Sequence, residues 1–220
     1  MDPASITPAD LRQLLAFVAE AISRKEAELN ALDAAIGDGD HGITMRVGFT
    51  AVNAKISGLP DAAGIDAIFR ESGIAFMGAT GGAIGVLLGK MLMAAGAALK
   101  GRPEIGPAEF RILLDAMEST LVSTGKARPG DKTMLDAVHA ANDAVKAENP
   151  SGEELVPMME LAGRSALRAA QDTAQMLPHA GRASRLGERA LGHPDPGAVS
   201  FSVFLTAMAE WAQQTSRHGA

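Results

Sequence analysis

Residues 32 to 44 read Leu-Asp-Ala-Ala-Ile-Gly-Asp-Gly-Asp-His-Gly-Ile-Thr, and they concentrate the chemistry of this chain. Asp33, Asp38 and Asp40 fall within eight positions, and Gly37, Gly39 and Gly42 are set among them. Carboxylates this close repel one another unless protons or a cation neutralise them. Glycine frees the backbone to turn sharply and lets a ligand approach it. Hard oxygen donors without a nearby cysteine suit Mg²⁺ or Ca²⁺ better than Zn²⁺. A plain polar turn is the competing reading, since Asp and Gly are common turn formers. The crowding of charge favours the metal site.

Three familiar motifs fail on these residues. Gly37, Gly39 and Gly42 spell GxGxxG, but a dinucleotide loop needs a preceding strand, and Asp38 and Asp40 would repel a bare pyrophosphate. Counted from Asp38, a calcium loop of the EF-hand type would place Gly42 and Phe49 at ligand positions. Zinc would find His41 as its sole nitrogen ligand in reach. What remains is a carboxylate cage able to hold Mg²⁺ and bring it to phosphates.

Three further stretches have unusual chemistry. Gly78-Ala79-Thr80-Gly81-Gly82 is a glycine-rich turn, read equally well as a ligand loop or as a close helix contact. Gly125 to Met134 nearly spells a P-loop, but Asp131 intrudes between Gly130 and Lys132 and no strand precedes it. A basic turn before a helix can still face a nucleotide. Residues 178 to 199 form a long loop-like stretch with Arg182, Arg185 and Arg189 beside stiffening prolines, which suggests anion binding.

The elements that must position these loops read as helices. Aromatics are 4% of the chain and tyrosine is absent, so strand formers are thin. Thr7 and Pro8 mark the start of a first helix, expected to run to about Asn30 with Leu11, Leu14, Leu15, Val18 and Ile22 as its apolar stripe. A second helix is expected from Gly42, which would set free backbone N–H groups facing a phosphate. Others are expected over about 62–77, from the glycine turn to about Leu99, from Pro107 through Leu121, over 133–147 and over 152–176. Asn149-Pro150-Ser151 separates the last two, and a final helix is expected to be capped by Ser200. That makes an all-α bundle of about eight antiparallel amphipathic helices. Alternate loops of such a bundle share an end, and the four unusual loops are alternate ones. One end should therefore carry carboxylates, glycine turns and arginines together, as a metal–nucleotide site does.

Composition sets the outer limits. At 220 residues and 47% hydrophobic, the chain is long and apolar enough for one globular domain, taken as 1–220. A formal net charge of −6 argues against nucleic-acid or anionic-membrane binding. Residues 72 to 89 carry no charge, but Thr80, Gly81 and Gly82 interrupt them, so two buried helical pieces are expected rather than a membrane span. No cysteine is present and no signal-peptide pattern is evident, which makes a cytoplasmic location the expectation.

With these loops in hand, the chain resembles the L subunit of dihydroxyacetone kinase over nearly its whole length. LDAAIGDGDHG resembles that family's magnesium loop, GKARPGDKTMLDA its middle loop and GRASRLGERALGHPDPGA its late loop. The resemblance implies a barrel of eight antiparallel helices with the nucleotide at one end. It implies that Asp33, Asp38 and Asp40 bind two Mg²⁺ ions, and that His41, Gly42, Ile43 and Thr44 contact the phosphates of ADP or ATP. Thr80, Gly81, Gly125, Thr133, Met134, Arg182, Asp195, Pro196 and Gly197 would line the rest, with Arg182 offsetting charge during transfer. The second turn departs from the family pattern, since Gly81 lacks a serine hydroxyl and Ala83 replaces a proline. The implied partners are a K subunit carrying the ketose and a phosphohistidine donor, the M subunit of the phosphotransferase system, with room for a homodimer. Bound ADP would be phosphorylated in place. The rival expectations are a nucleotide subunit of an ATP-dependent kinase for another ketose or tetrose, and a non-catalytic nucleotide sensor.

Overall fold

The computed structural model describes residues 5–148 and 154–218. Its helices are α1 (Pro8–Arg24), α2 (Glu26–Ile36), α3 (His41–Ser57), α4 (Ile65–Ala79), α5 (Gly82–Ala98), α6 (Pro107–Gly125), α7 (Met134–Glu148), α8 (Leu155–Asp172) and α9 (Pro196–His218). Short 3-10 turns occupy Thr173–Gln175, Arg182–Arg185 and Gly187–Ala190. Eight helices pack side by side in a closed ring, in the order α1, α3, α4, α5, α6, α7, α8, α9 and back to α1. The shorter α2 leans on α3 and α9. This is the expected all-α barrel, with one helix more than the periodicity indicated.

The extra helix comes from a break at Lys25. Thr7 and Asp10 form a capping box and Pro8 opens the first turn, as the sequence suggests. The chain leaves helical geometry at Lys25 (φ −97°, ψ 2°) and restarts, so the expected run to Asn30 is divided. Neither glycine nor proline marks the break, which is why composition did not reveal it. At the other end of the chain, α9 begins at Pro196 rather than Ser200. Its cap is Asp195, whose Oδ2 accepts from the Ala198 N–H at 2.7 Å. Ser200 lies inside the helix and is buried. The expected break at Asn149-Pro150-Ser151 and the start at Gly152 lie outside the described residues.

The ring's direction is fixed at its far end. Ile6 and Ile105 exchange two backbone hydrogen bonds of 2.9 Å, tying the entry to α1 beside the entry to α6. Short connections then alternate, which gathers the connections α2–α3, α4–α5, α6–α7 and α8–α9 at the opposite end. Inside the ring, Phe49 meets Phe76 edge-on at 5.5 Å and Phe204 at 6.2 Å, and Phe204 stacks on Phe201 at 5.8 Å.

The uncharged stretch 72–89 proves to be the contact between α4 and α5. A Cβ on Gly73 would overlap the Gly89 carbonyl oxygen, so the two backbones meet at a distance that side chains would prevent. Among the described residues, no helix is long and apolar enough to cross a membrane. Overpacking this contact should be costly. Gly73→Leu is expected to lower unfolding free energy by about 1–3 kcal/mol in denaturant titrations. Gly78→Ala, in the same helix but facing open space, should leave it unchanged or raise it by up to about 1 kcal/mol.

Candidate functional site

The three carboxylates reach one place from two kinds of backbone. Asp33 sits on the last turn of α2, so a helix fixes its direction. Its Oδ2 accepts from the N–H groups of Gly39 (2.8 Å) and Asp40 (3.0 Å), which folds the loop 37–40 back over it. Gly39 adopts φ +81°, a conformation that an L side chain resists. A Cβ on Gly37 would collide with Asp33 Oδ1, so the close return of the chain depends on that glycine. Asp38 and Asp40 are carried by this loop and are exposed. One oxygen from each of Asp33, Asp38 and Asp40 lies within 4.8 Å of the other two. Oxygens at that spacing fit a hard divalent cation such as Mg²⁺.

Arg182 of the late loop closes the arrangement, with Nη1 donating to Asp38 Oδ2. Desolvation raises the pKa of Asp38, but the Arg182 guanidinium and hydrogen bonding outweigh it and hold the carboxyl below its usual range. Asp40 moves the other way, raised by desolvation and by the charges of Asp38 and Asp33. A single guanidinium cannot compensate three carboxylates, and the balance left over has the sign that a divalent cation would offset.

A cavity of about 180 Å³ opens here. Its walls come from all four gathered connections: Asp33, Asp38, Asp40 and His41; Ala83 and Ile84; Lys132, Thr133 and Met134; and Ala180 to Ala183 with Asp195, Pro196 and Gly197. A second cavity of about 380 Å³ adjoins it, sharing Ala83, Leu87, Thr133, Met134, Ala180 and Gly181, and continues past Val86, Leu121, Gly125 and Ala127. The first chamber is charged and the second is chiefly apolar.

The remaining expected residues divide. Gly42, Ile43 and Thr44 are not among the lining residues. A Cβ on Gly42 would overlap the Glu26 carbonyl oxygen, so this glycine serves the crossing of α2 and α3. The Ile43 N–H is taken by Asn30 Oδ1 at 3.1 Å and that of Thr44 by the Asp40 carbonyl at 2.9 Å. Thr80 donates to the Phe76 carbonyl at 2.7 Å, and Gly81 is the exposed residue before α5. Neither lines these two cavities. The start of α5 has no side-chain cap, and its Ala83 and Ile84 face the charged chamber. That leaves α5 as the helix start best placed for an anion. Arg185 and Arg189 lie in exposed turns away from both cavities.

Several residues went unread in the sequence. Lys132 is 1% exposed and lines the charged chamber. Asp136 is buried and accepts from the N–H groups of Gly130 and, at 2.7 Å, Thr133, setting the loop that leads into α7. Ser200 donates to the Gly197 carbonyl at 3.0 Å, so its oxygen is free to accept from His41 Nε2, also at 3.0 Å. That network assigns the proton of a neutral His41 to Nε2. Burial lowers the His41 pKa to about 4, keeping the ring neutral at physiological pH. Asp195 goes the opposite way. Desolvation raises it to about 7, against the hydrogen bond it accepts from Ala198.

A family model described as the DAK2 domain matches residues 35–210. The chain is 34% identical over 192 residues to the ADP-binding subunit DhaL of a PEP-dependent dihydroxyacetone kinase from Escherichia coli, covering 87% of this chain and 91% of that one. It is 38% identical over 198 residues to a D-erythrulose kinase from Mycolicibacterium smegmatis, of which it spans 33%. Among solved structures it is similar to the dihydroxyacetone kinase of C. freundii in complex with AMP-PNP and Mg²⁺. That likeness has a TM-score of 0.69 at 26% identity, over 96% of this chain and 36% of that one.

The opposed shifts of His41 and Asp195 have opposite consequences for stability. His41 is depressed, so its contribution is full above pH 6.5 and is lost as pH falls toward 4. Asp195 is raised, so its contribution is full below 3.8 and is lost as pH rises through 7. In the metal-free protein, the stability deficit of His41→Gln should therefore shrink as pH falls from 6.5 to 4. Asp195→Asn should gain on the wild type as pH rises from 4 to 7. Urea titrations at several pH values, with imidazole resonances followed by NMR, check both.

Proposed function

The chain belongs to the DAK2-domain family, and from that premise we propose that it is the Mg²⁺–nucleotide-binding subunit of a small-ketose kinase. The observation that carries this reading is the convergence of four connections on one charged chamber with an apolar chamber beside it. A nucleotide has the same division: phosphates at one end, a flat base at the other. Asp33, Asp38 and Asp40 would hold two Mg²⁺ ions that offset phosphate charge, and the apolar chamber between α5, α6 and α7 suits adenine. Bound Mg²⁺ would offset charge on the transferring phosphoryl group, the usual metal contribution in such reactions.

The protein's own groups would do the rest by positioning. Asp33 holds its direction through α2 and through two backbone N–H groups of the following loop. Asp38 is held by Arg182 when no cation is present, and a cation would release that guanidinium toward a phosphate. Arg182 is suited to bidentate contact with phosphoryl oxygens and to offsetting charge as it develops. Neutral His41 can donate nothing from Nδ1, since Ser200 fixes its proton on Nε2, so it offers an acceptor rather than a charge. The start of α5 provides backbone N–H groups on the opposite wall. The base for a sugar hydroxyl would come from a K-type partner holding the ketose.

Dihydroxyacetone is the first choice of ketose, because the DhaL protein is matched along nearly its whole length. ADP would then act as a retained coenzyme, rephosphorylated in place by a phosphohistidine protein. A second reading rests on the D-erythrulose kinase likeness: the same site serving a tetrose with exchanging ATP. Incubating the protein with labelled ADP and a large excess of unlabelled ATP separates the two. Retention over minutes, with ketose phosphate formed only when a phosphohistidine donor and a K subunit are added, supports the first. Exchange within seconds and turnover driven by free ATP supports the second.

Asp38→Asn retains shape and removes one charge. Its affinity for Mg-ADP by calorimetry should fall by roughly tenfold or more. Arg182→Gln should act with opposite signs on two ligands. It should weaken Mg-ADP binding by about tenfold and strengthen binding of Mg²⁺ alone, because the competing cation has gone. Arg168→Lys on α8 is the control and should change neither. Equal Mg-ADP affinity in wild type, Asp38→Asn and Arg182→Gln would overturn the assignment.

A further inference from the structure

We propose that Lys132 is a positioning residue for Arg182: its buried ammonium closes the neck of segment 176–190 and so holds the Arg182 loop over the charged chamber. Lys132 lies on the connection before α7, not on the late loop itself. Its Nζ donates to the Ala190 carbonyl at 2.8 Å and to the Met176 carbonyl at 3.3 Å. Those two carbonyls flank the segment that carries Arg182. One side chain thus joins both strands of the neck to a third part of the chain.

The surroundings show why the join matters. The segment between the two carbonyls is mostly exposed, and its own helical content is two short 3-10 turns. Its apolar anchorage is a small cluster of Ala183, Ala190 and Leu186 against Ile36, with Ala180 packed on the main core and Pro178 buried. Nearby backbone bonds fasten its rim, from the Gly192 N–H to the Ala174 carbonyl at 2.8 Å and from the His179 N–H to the Asp131 carbonyl at 3.1 Å. An exposed segment with so few apolar contacts opens readily unless polar bonds restrain it. A buried ammonium must have acceptors, because an unpaired charge in such a place is strongly unfavourable. The pairing therefore works in both directions: the loop satisfies the lysine, and the lysine confines the loop.

Lys132 adopts φ +59°, and Lys126 on the same connection adopts φ +53°. Lys126 is exposed, so burial rather than backbone conformation sets Lys132 apart. A surface lysine in a turn would be exposed, and this one is 1% exposed.

The test uses Lys132→Met, Lys132→Gly and Lys132→Arg in the full chain, with hydrogen exchange as the first measurement. It needs no nucleotide. In Lys132→Met and Lys132→Gly, amides of 177–191 should exchange about tenfold faster or more, while those of the α4–α5 contact hold their rates. Lys132→Gly is informative because it relaxes the backbone, so added stability elsewhere with a looser loop isolates the side chain. Lys132→Arg should restore most of the protection. Unchanged exchange in 177–191 overturns the proposal.

The second measurement rests on the nucleotide reading. The dissociation rate of Mg-ADP should rise by about tenfold in Lys132→Met, yet by less than about twofold when Lys132→Met is added to Arg182→Gln. Additive losses would mean that Lys132 acts on the nucleotide other than through Arg182, and would overturn its positioning role. If wild type fails to bind Mg-ADP, the nucleotide reading falls while the exchange result still decides the role of Lys132. Should Lys132→Met fail to fold, Lys132→Gly carries both measurements.

Discussion

Three carboxylates within 4.8 Å of one another, one of them paired to a guanidinium, are the constraint on which this end of the barrel depends. Such a cluster is unfavourable in isolation, so the surrounding structure must hold it against repulsion. It does this mechanically and electrostatically. Asp33 is fixed by a helix, and the following loop is pulled over it by two hydrogen bonds to a single carboxylate oxygen. Asp38 is held by a residue nearly 150 positions later in the chain. The site therefore exists only when the first and last thirds of the fold are docked together, which couples the assembly of the ring to the assembly of the site.

Closure of the ring serves this docking. α9 packs against both α8 and α1, and α2 leans on α3 and α9. Glycine permits the two tightest backbone-to-backbone approaches between helices: Gly42 where α3 crosses α2, and Gly73 where α4 crosses α5. Each removes a side chain from a contact so that backbones can meet, and each crossing ends at a connection lining the chamber or flanking it. The far end is tied by the Ile6–Ile105 pair, beside the capping carboxylates Asp10 and Glu109. Rigid packing in the middle with the carboxylate cluster at one end lets a binding event act on loops without disturbing the core.

Much of this was legible in the sequence. Helical periodicity gave the fold class because apolar stripes recur along nearly every element, and alternation of unusual loops gave the shared end. Asp33, Asp38 and Asp40 could be singled out because charge crowding is a local property, visible in eight consecutive residues. The break at Lys25 was not legible. No breaker residue marks it, and the turn answers to tertiary packing of α2 rather than to local preference. The start of α9 was misjudged because Ser200 looked like a cap while Asp195-Pro196 was read as loop. Asp195 followed by Pro196 is itself a start signal, and only the length of the preceding loop obscured it. Lys132 was missed for a different reason. Its role depends on carbonyls 44 and 58 residues away, and nothing in its own neighbourhood points to them.

The chamber has two electrostatic layers, and the division explains why its residues differ so much in exposure. In front are exposed groups that can exchange partners: Asp38, Asp40 and Arg182. Behind them are groups whose ionisation burial works against. His41 is neutral because desolvation outweighs the attraction of Asp33, and Asp195 is drawn toward neutrality while capping α9. A neutral back wall has a physical consequence for the front. Another full positive charge beside Asp33 would compete with a cation, and another full negative charge would deepen the repulsion that the cation must overcome. With His41 neutral and Asp195 drawn toward neutrality, the charges left in the chamber are the carboxylate trio set against Arg182 and the buried Lys132. Three negative charges against two leave an imbalance of the sign that a cation would correct.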